Sequence, residues 1–472
     1  MTNGYDVVVI GSGTGGYVAA IRAAQLGLST AVVERAPVLG GTCLNLGCIP
    51  TKALLEHAHA LKVAQNWKEW GLTIGQAAAG IDMAQVQARK DKIVKGLTGG
   101  IELLFRKNKI DWIKGSGRLA GNGQVEISAG QSQTIVARKE VIVATGSQPR
   151  SVPGVDIDRK RIITSDDAIG LKEIPKSIAI MGSGAVGVEF ASIFRRFGSD
   201  VTLVELLPRI VPIEDEAISA ELERSFRKQG IKVLTGTRVT SAKPGADGVD
   251  IEAQTPDGRT ARIRVDTLLV ATGRGPVTSG LGAEEAGLRL ERGYVHVDQE
   301  FRTGVPGISA IGDVITFDTP GHPQLAHLSS AEGIAVAERI AGTQYGRINY
   351  DQVPACTYSD PEIGSVGLTE QEAQQRGYDV KTGSFKFGVL ARARIAGETE
   401  GFVKIVFDKK YDEILGVHMI GARSTELVAE ATLALRLECT VEELLRTIHA
   451  HPTMSEAIGE AAHAAHGAAI HA

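Results

Sequence analysis

Hydrophobic residues fall along this chain in short unbroken blocks that end at glycine turns. The block Asp6-Val7-Val8-Val9-Ile10 runs into Gly11-Ser12-Gly13-Thr14-Gly15-Gly16, then an alanine-rich helical stretch to Leu26, then a second apolar block over 29–34. An apolar run without alternation predicts a strand covered on both faces, and the helical spacing after the glycines predicts a strand, turn, helix, strand unit. The same order recurs. Residues 177–181 read as a strand, Gly182-Ser183-Gly184-Ala185-Val186-Gly187 as the turn, 188–197 as the helix and 200–205 as the next strand. In both copies an acid, Glu34 or Glu205, lies the same distance past the last glycine of the motif. Two further blocks, 141–146 and 268–273, end in Ala-Thr-Gly and close the two copies, which predicts a duplicated domain with the second inserted in the first.

The long insertion after Glu34 holds Cys43 and Cys48, amphipathic helices around 53–65 and 83–107, and strands within 112–127. After Gly273, residues 307–313 read as a short strand ending in Asp313, with a helix over 325–340. From about residue 354 the period changes to two, with alternating strands over 402–407 and 414–420 and helices over 424–437 and 441–447. The alanine- and histidine-rich tail after Gly459 reads as a frayed end, its His463, His466 and His471 holding metal only adventitiously. The fold class expected is α/β: two Rossmann-like dinucleotide-binding domains, one inside the other, plus a C-terminal α+β domain.

Composition changes this picture little. With 472 residues the chain is expected to divide into about three or four domains of roughly 100 to 200 residues. The net charge of −4 offers no basic excess to neutralise phosphates, so neither nucleic acid nor an anionic membrane is expected as main partner. No segment has a secretory signal pattern or approaches the roughly 18 apolar residues of a membrane span. Four cysteines are too few for a secreted disulfide scaffold, so Cys356 and Cys439 read as reduced packing residues.

The glycine turns let backbone approach a pyrophosphate, whose charge sits at the start of the following helix. Two such turns, each with strand, helix and terminal acid, point to two dinucleotides. An acid at the strand end accepts a ribose hydroxyl and repels a ribose phosphate; Leu206 and Leu207, not arginines, follow Glu205, which favours NAD over NADP. Cys43 and Cys48 stand five apart in Gly41-Thr42-Cys43-Leu44-Asn45-Leu46-Gly47-Cys48. A zinc site gathers four ligands and no second cysteine pair exists, so no metal is expected. A structural bridge is disfavoured in a reducing compartment, whereas a redox couple at a helix start, where the positive helix end stabilises a thiolate, suits the dinucleotide motifs.

Those motifs, with Ser309-Ala310-Ile311-Gly312-Asp313, Pro361-Glu362-Ile363-Gly364-Ser365-Val366-Gly367 and His449-Ala450-His451-Pro452-Thr453-Met454-Ser455-Glu456, resemble the flavin disulfide reductases along the whole chain. The closest likeness is to the branch that oxidises dihydrolipoamide and serves 2-oxo acid dehydrogenase complexes. The resemblance implies a cytoplasmic homodimer with FAD and NAD, bound by lipoyl domains and a transacylase core. It implies an FAD domain over 1–149, an NAD domain over 150–276, a central domain over 277–350 completing the FAD site, and a dimerisation domain over 351–472. Cys43 is then the interchange thiol and Cys48 the thiol against the flavin. His451 is the base, oriented by Glu456 and acting on the partner subunit's disulfide, while Lys52 and Glu189 pair near the flavin. FAD contacts fall to Gly11, Gly13, Gly16, Glu34, Gly41, Thr42, Lys52, Gly115, Thr145, Gly146, Asp313, Leu325, Ala326 and His327. NAD contacts fall to Gly182, Gly184, Gly187, Glu205, Gly273 and Arg274. Two departures stand out: Val277 follows Pro276 where many relatives carry asparagine, and the loop over 316–323 is long. Glutathione-type reductases, which use NADPH, and mercuric reductases, which carry a further C-terminal cysteine pair, are the competing readings. A flavin transhydrogenase needs no cysteine pair, and docking onto a multienzyme core is compatible with catalysis.

Overall fold

The computed structural model describes residues 4–73, 80–129, 131–318, 321–344 and 346–471. Two compact units emerge, each assembled from three stretches of chain. The first comprises Met1–Leu54, Ala84–Arg150 and Gly273–Ile348; the second comprises Leu55–Met83, Ser151–Thr272 and Asn349–Ala472.

The first unit is built on a sheet in which Asp111–Lys114, Thr30–Glu34, Gly4–Ile10 and Gln131–Val143 lie side by side and parallel, with Ile308–Ala310 parallel on the far side of the last. Val7, Val8 and Val9 are fully buried, as expected for a parallel strand covered on both faces. The outer half of Gln131–Val143 leaves the parallel array and pairs antiparallel with Gln124–Ala129, which in turn pairs with Ser116–Leu119. The helices Thr14–Gln25 and Ala326–Ala341 pack together closely enough that a Cβ on Gly333 would lie 2.5 Å from the Gly15 carbonyl oxygen.

The second unit repeats the architecture with five parallel strands in the order Lys232–Leu234, Asp200–Val204, Ser177–Met181, Thr267–Val270, Ile162–Thr164. A three-stranded antiparallel sheet, Arg238–Gly245, Gly248–Gln254 and Thr260–Val265, is inserted before its closing strand. The C-terminal part carries a five-stranded antiparallel sheet in the order Ala355–Thr357, Ile363–Gly367, Ile414–Gly421, Gly401–Asp408, Val380–Lys386.

Two expectations change here. Gly401–Asp408 and Ile414–Gly421 do not alternate between core and solvent; nearly every residue in both is buried, because they are central strands covered on both faces. The tail is not frayed from Gly459 either. Glu456–Ala465 is a helix whose Ala457, Ala461, Ala462 and Ala465 are buried, and a Cβ on Gly383 would meet Ala461 and Ala465 within 2.5 Å. His466 then bonds Asp412, with Glu442 at 3.8 Å from its other ring nitrogen, and His471 bonds Glu460. Of the long loop over 316–323, residues 319–320 lie outside the described residues.

Candidate active site

The two glycine turns are built alike. Gly11 and Gly182 have φ of +103° and +100°, and a Cβ on either would lie 2.3 or 2.4 Å from the carbonyl oxygen of Ala144 or Ala271. Gly16 and Gly187 sit so close to the turn that a Cβ would lie 2.0 Å from the oxygen of Gly11 or Gly182. By contrast a Cβ on Gly13 or Gly184 would meet nothing within 4 Å. Each of these two residues precedes a helix and has ordinary extended backbone, so the open space is where a pyrophosphate would lie against the helix start.

The acids at the strand ends are matched as well. Glu34 Oε2 accepts the Ser12 amide at 2.8 Å and its hydroxyl at 2.7 Å; Glu205 Oε2 accepts the Ser183 amide and hydroxyl at the same two distances. The other oxygen of each accepts an amide two residues on, from Ala36 or Leu207, at 2.8 Å. Both carboxylates are thus fixed by the turn they face. The serine at the second position of each glycine motif carries this arrangement. Sequence reading passed over it, although its repetition in both copies was a visible signal.

Around the first turn, a Cβ on Gly41 would lie 2.6 Å from Gly13 Cα, and the Gly115 amide donates to the Glu34 carbonyl at 2.9 Å. Thr145 Oγ1 is buried with no hydrogen-bond partner, an orphaned polar atom that a dinucleotide would satisfy. Gly146 has a φ of +70° with nothing within 4 Å of its Cβ position. Asp313, on the single turn Gly312–Val314, accepts the Ser147 hydroxyl at 2.6 Å. Leu325 caps the helix that Ala326 and His327 begin. These placements fit a dinucleotide at this turn. Arg274, assigned from sequence to the second dinucleotide, instead directs its guanidinium to the Ser147 hydroxyl and carbonyl, each at 2.8 Å, and to Thr42 Oγ1 at 3.4 Å, all in the first unit. Gly273, beside it, has a φ of +118°.

Cys43 lies in the short helix Gly41–Asn45, and Cys48 is the first residue of the helix Cys48–Gln65, which also carries Lys52. Both cysteines are thiols. A hydrogen bond with Cys48 and burial push the Cys43 thiol up, with the Asp313 charge adding to them and the Lys52 ammonium opposing. Cys43 therefore holds its proton more tightly than an ordinary thiol, and Cys48 stands at the start of its helix.

In the second unit, Glu189 is buried and its Oε1 accepts the Tyr358 amide at 2.9 Å. His451 Nδ1 lies 2.8 Å from Glu456 Oε1, and the Thr453 amide donates to the other Glu456 oxygen at 2.8 Å. Burial works to raise the Glu456 carboxyl, but the His451 and Thr453 hydrogen bonds outweigh it and hold the group below the usual carboxylate range. The His451 side chain is 71% exposed, so Nε2 faces outward while Nδ1 is held, the arrangement a base needs. His449 is occupied elsewhere: Nε2 lies 2.8 Å from Glu430, whose hydrogen bond raises the imidazole pKa. Glu430 was not foreseen from sequence.

Among the described residues no helix is long and apolar enough to cross a membrane. Among the described residues Glu291, His296 and Asp318 form one group of potential metal ligands, and Arg289 already pairs with two of its members.

The pyridine nucleotide-disulphide oxidoreductase family matches residues 5–333, and the dimerisation domain of that family matches residues 353–462. The chain is 45% identical to dihydrolipoyl dehydrogenase of Bacillus subtilis over the full length of both. It is 43% identical to the mitochondrial dihydrolipoyl dehydrogenase of Pisum sativum, covering 99% of this chain and 92% of the relative. Among solved structures, LpdA from Mycobacterium tuberculosis superposes with a TM-score of 0.87 at 28% identity, covering 98% of this chain and 99% of that one. The paired cradles, the cysteine pair and the C-terminal sheet are therefore the parts of a known architecture, and the chain belongs to the pyridine nucleotide-disulphide oxidoreductase family, in the branch that includes the dihydrolipoyl dehydrogenases.

Proposed function

We propose that the chain oxidises dihydrolipoamide, carried on lipoyl domains of a 2-oxo acid dehydrogenase complex, to lipoamide, with NAD as terminal acceptor. The observation that carries this reading is the thiol pair beside the first dinucleotide cradle, with Gly41 packed on Gly13 and Asp313 and Lys52 acting on Cys43. The division into an FAD domain over 1–149, an NAD domain over 150–276, a central domain over 277–350 and a dimerisation domain over 351–472 belongs to the same reading, as does a cytoplasmic location.

Turnover begins with Cys43 and Cys48 joined as a disulfide. His451 of the partner subunit takes a proton from one substrate thiol at Nε2, and the thiolate attacks Cys43 Sγ; the Cys43–Cys48 bond breaks and Cys48 leaves as thiolate. The second substrate thiol attacks the substrate sulfur bound to Cys43; the mixed disulfide breaks, the thiol's proton passes to the departing Cys43 sulfur, and the cyclic disulfide closes. Substrate has then lost two electrons and the cysteine pair holds them. Glu456 fixes the imidazole tautomer and stabilises the imidazolium formed in the first step. FAD, when bound at the first cradle, supplies the two-electron link between the dithiol and NAD at the second. Lys52 places an ammonium next to the pair, and Glu34 and Glu205 accept ribose hydroxyls.

Steady-state turnover tests the reading. Dihydrolipoamide with NAD is expected to give rapid NADH formation, and oxidised glutathione with NADPH little activity; the reverse outcome overturns the substrate and nicotinamide assignments. His451→Gln is expected to lower kcat by about 10²–10⁴-fold, the usual worth of a general base.

A further inference from the structure

The loop that carries His451 is tied down at its start, middle and end, and the tie at its start has no role in the scheme above. There His449 Nε2 lies 2.8 Å from Glu430 Oε1 on the helix Ser424–Arg436, and the imidazole is 8% exposed. In the middle, Thr453 donates its hydroxyl to the Ala450 carbonyl at 2.6 Å and its amide to Glu456 Oε2 at 2.8 Å. At the end, Glu456 opens the helix Glu456–Ala465 and holds His451 Nδ1 with its other oxygen.

His449 also meets that helix directly. A Cβ on Gly459 would lie 2.9 Å from His449 Nδ1 and 3.1 Å from Cε1, so the ring rests against helix backbone at a point where any side chain would crowd it. Gly459 stands three residues past Glu456, and residues at that spacing share a helix face. The ring therefore sits one turn along the face from which Glu456 reaches His451. The two also act on each other by charge. The Glu430 hydrogen bond raises the His449 pKa against burial, with the Thr447 carbonyl and the Glu456 charge adding to it. Burial works to raise the Glu456 carboxyl, and the His449 charge joins the His451 and Thr453 bonds in outweighing it.

We propose that His449 is a positioning residue for the base: bridged between Glu430 and Gly459, it fixes the start of the loop against the helix on which Glu456 stands, so that Glu456 presents His451 in one place. The proposal rests on the reading of His451 as the base in dihydrolipoamide oxidation. A base works only within hydrogen-bond reach of the proton it takes, and a misplacement of about 1 Å costs on the order of 100-fold in rate. The side chain of His451 is exposed, so its place is set by the ties around it and not by packing of the imidazole itself.

The test uses the holoenzyme and reads two activities side by side: dihydrolipoamide with NAD, which needs the base, and NADH with ferricyanide, which draws electrons from the flavin and does not. His449→Ala, which cuts the tie, is expected to lower kcat for dihydrolipoamide about 10- to 100-fold, with the KM for NAD and the ferricyanide rate within about twofold of wild type. His449→Gln, whose amide still donates to Glu430, is expected to stay within about fivefold of wild type. Glu430→Ala is expected to match His449→Ala, and the double variant to be no slower than either, because both changes cut one tie. Glu430 is a third exposed, so Glu430→Ala carries the test where His449→Ala does not fold. Full dihydrolipoamide turnover in the alanine variants overturns the proposal, as do losses that multiply in the double variant or a His449→Gln as slow as His449→Ala. An equal loss of ferricyanide reduction overturns it too, since that marks a merely structural residue. Full turnover in His451→Gln, or wild-type protein that reduces ferricyanide but leaves dihydrolipoamide untouched, overturns instead the reading on which the proposal rests.

Discussion

The two nucleotide cradles share the hydrogen bonds between serine and acid to within 0.1 Å, and differ where they hold chemistry. The serine and acid pairs are superposable in distance. The likeness continues one step further: the Gly40 amide donates to the Ser12 carbonyl at 3.0 Å, and the Val211 amide donates to the Ser183 carbonyl at 3.0 Å, with equal spacing in both copies. Three residues beyond this shared bond the copies part. The first reaches Cys43; the second reaches Glu214, a buried acid bonded to Ser365. A duplicated scaffold thus keeps its phosphate-binding geometry by backbone constraints that no side chain can replace, and changes function at the first position those constraints release.

The sharpest way to break the comparison is to remove what only the first copy has. Cys48→Ser is expected to cut dihydrolipoamide turnover by more than about 10⁴-fold while the purified protein stays yellow; full turnover in this variant sinks the relay. Next, each cradle can be closed separately. Gly184→Ala is expected to weaken NAD binding by at least about 100-fold, or some 2.7 kcal/mol, with flavin content unchanged, whereas Gly13→Ala is expected to lose flavin and keep NAD. Melting temperatures of the unloaded proteins report whether the fold has suffered, and neither should move by more than about 2 °C. Gly16→Ala and Gly187→Ala differ from these, since the added Cβ meets backbone at 2.0 Å and the fold itself is destabilised.

A smaller effect separates Glu214 from its counterpart. Burial drives its carboxyl up to about 7 from the ordinary value near 4.5. Folded protein therefore holds this proton more tightly than unfolded chain does. The contribution is fully present below about pH 4.5 and is lost as pH rises through 7, on the order of 3 kcal/mol in all. Glu214→Gln is expected to remove that part of the pH slope in denaturant titrations between pH 5 and 8; an unaltered slope counts against the burial argument. The smallest effect concerns Val211, a branched residue at φ +39° where the first copy has Gly40 at +102°. Val211→Gly relieves backbone strain and loses buried surface, and the two nearly cancel, leaving a change within about 1 kcal/mol in the same titration.

Much of this was legible beforehand because it depends on local constraints. Unbroken runs such as Val7-Val8-Val9 announce strands buried on both faces, and Gly11 and Gly16 are glycines because nothing larger fits. The cysteines drew attention as a close pair beside a glycine turn, whereas the roles given to them and to His451 and Glu456 came from the family resemblance of their motifs. What escaped depends on distant partners. The period-two reading of Phe402 onward failed because coverage of the second face comes from elsewhere in the chain. The helix Glu456–Ala465 was missed because small alanines show little contrast until Gly383 is there to receive them. The buried pairing of His322 with Glu332 was hidden in a loop with no period, since the partner lies ten residues on in the following helix.

The empty space at Gly13 and Gly184 has a genetic consequence. An alanine there meets no protein atom and adopts permitted backbone angles, so cellular quality control, which senses unfolding, has nothing to detect. Such an allele yields an abundant, well-folded subunit that still dimerises. On the proposed scheme, in which each subunit's His451 serves the other's cysteines, such a subunit in a mixed dimer is expected to lose its own dinucleotide site while lending its base to an unaltered partner. The mixed dimer is therefore expected to retain close to half the activity, and the loss is complete only when both subunits are altered.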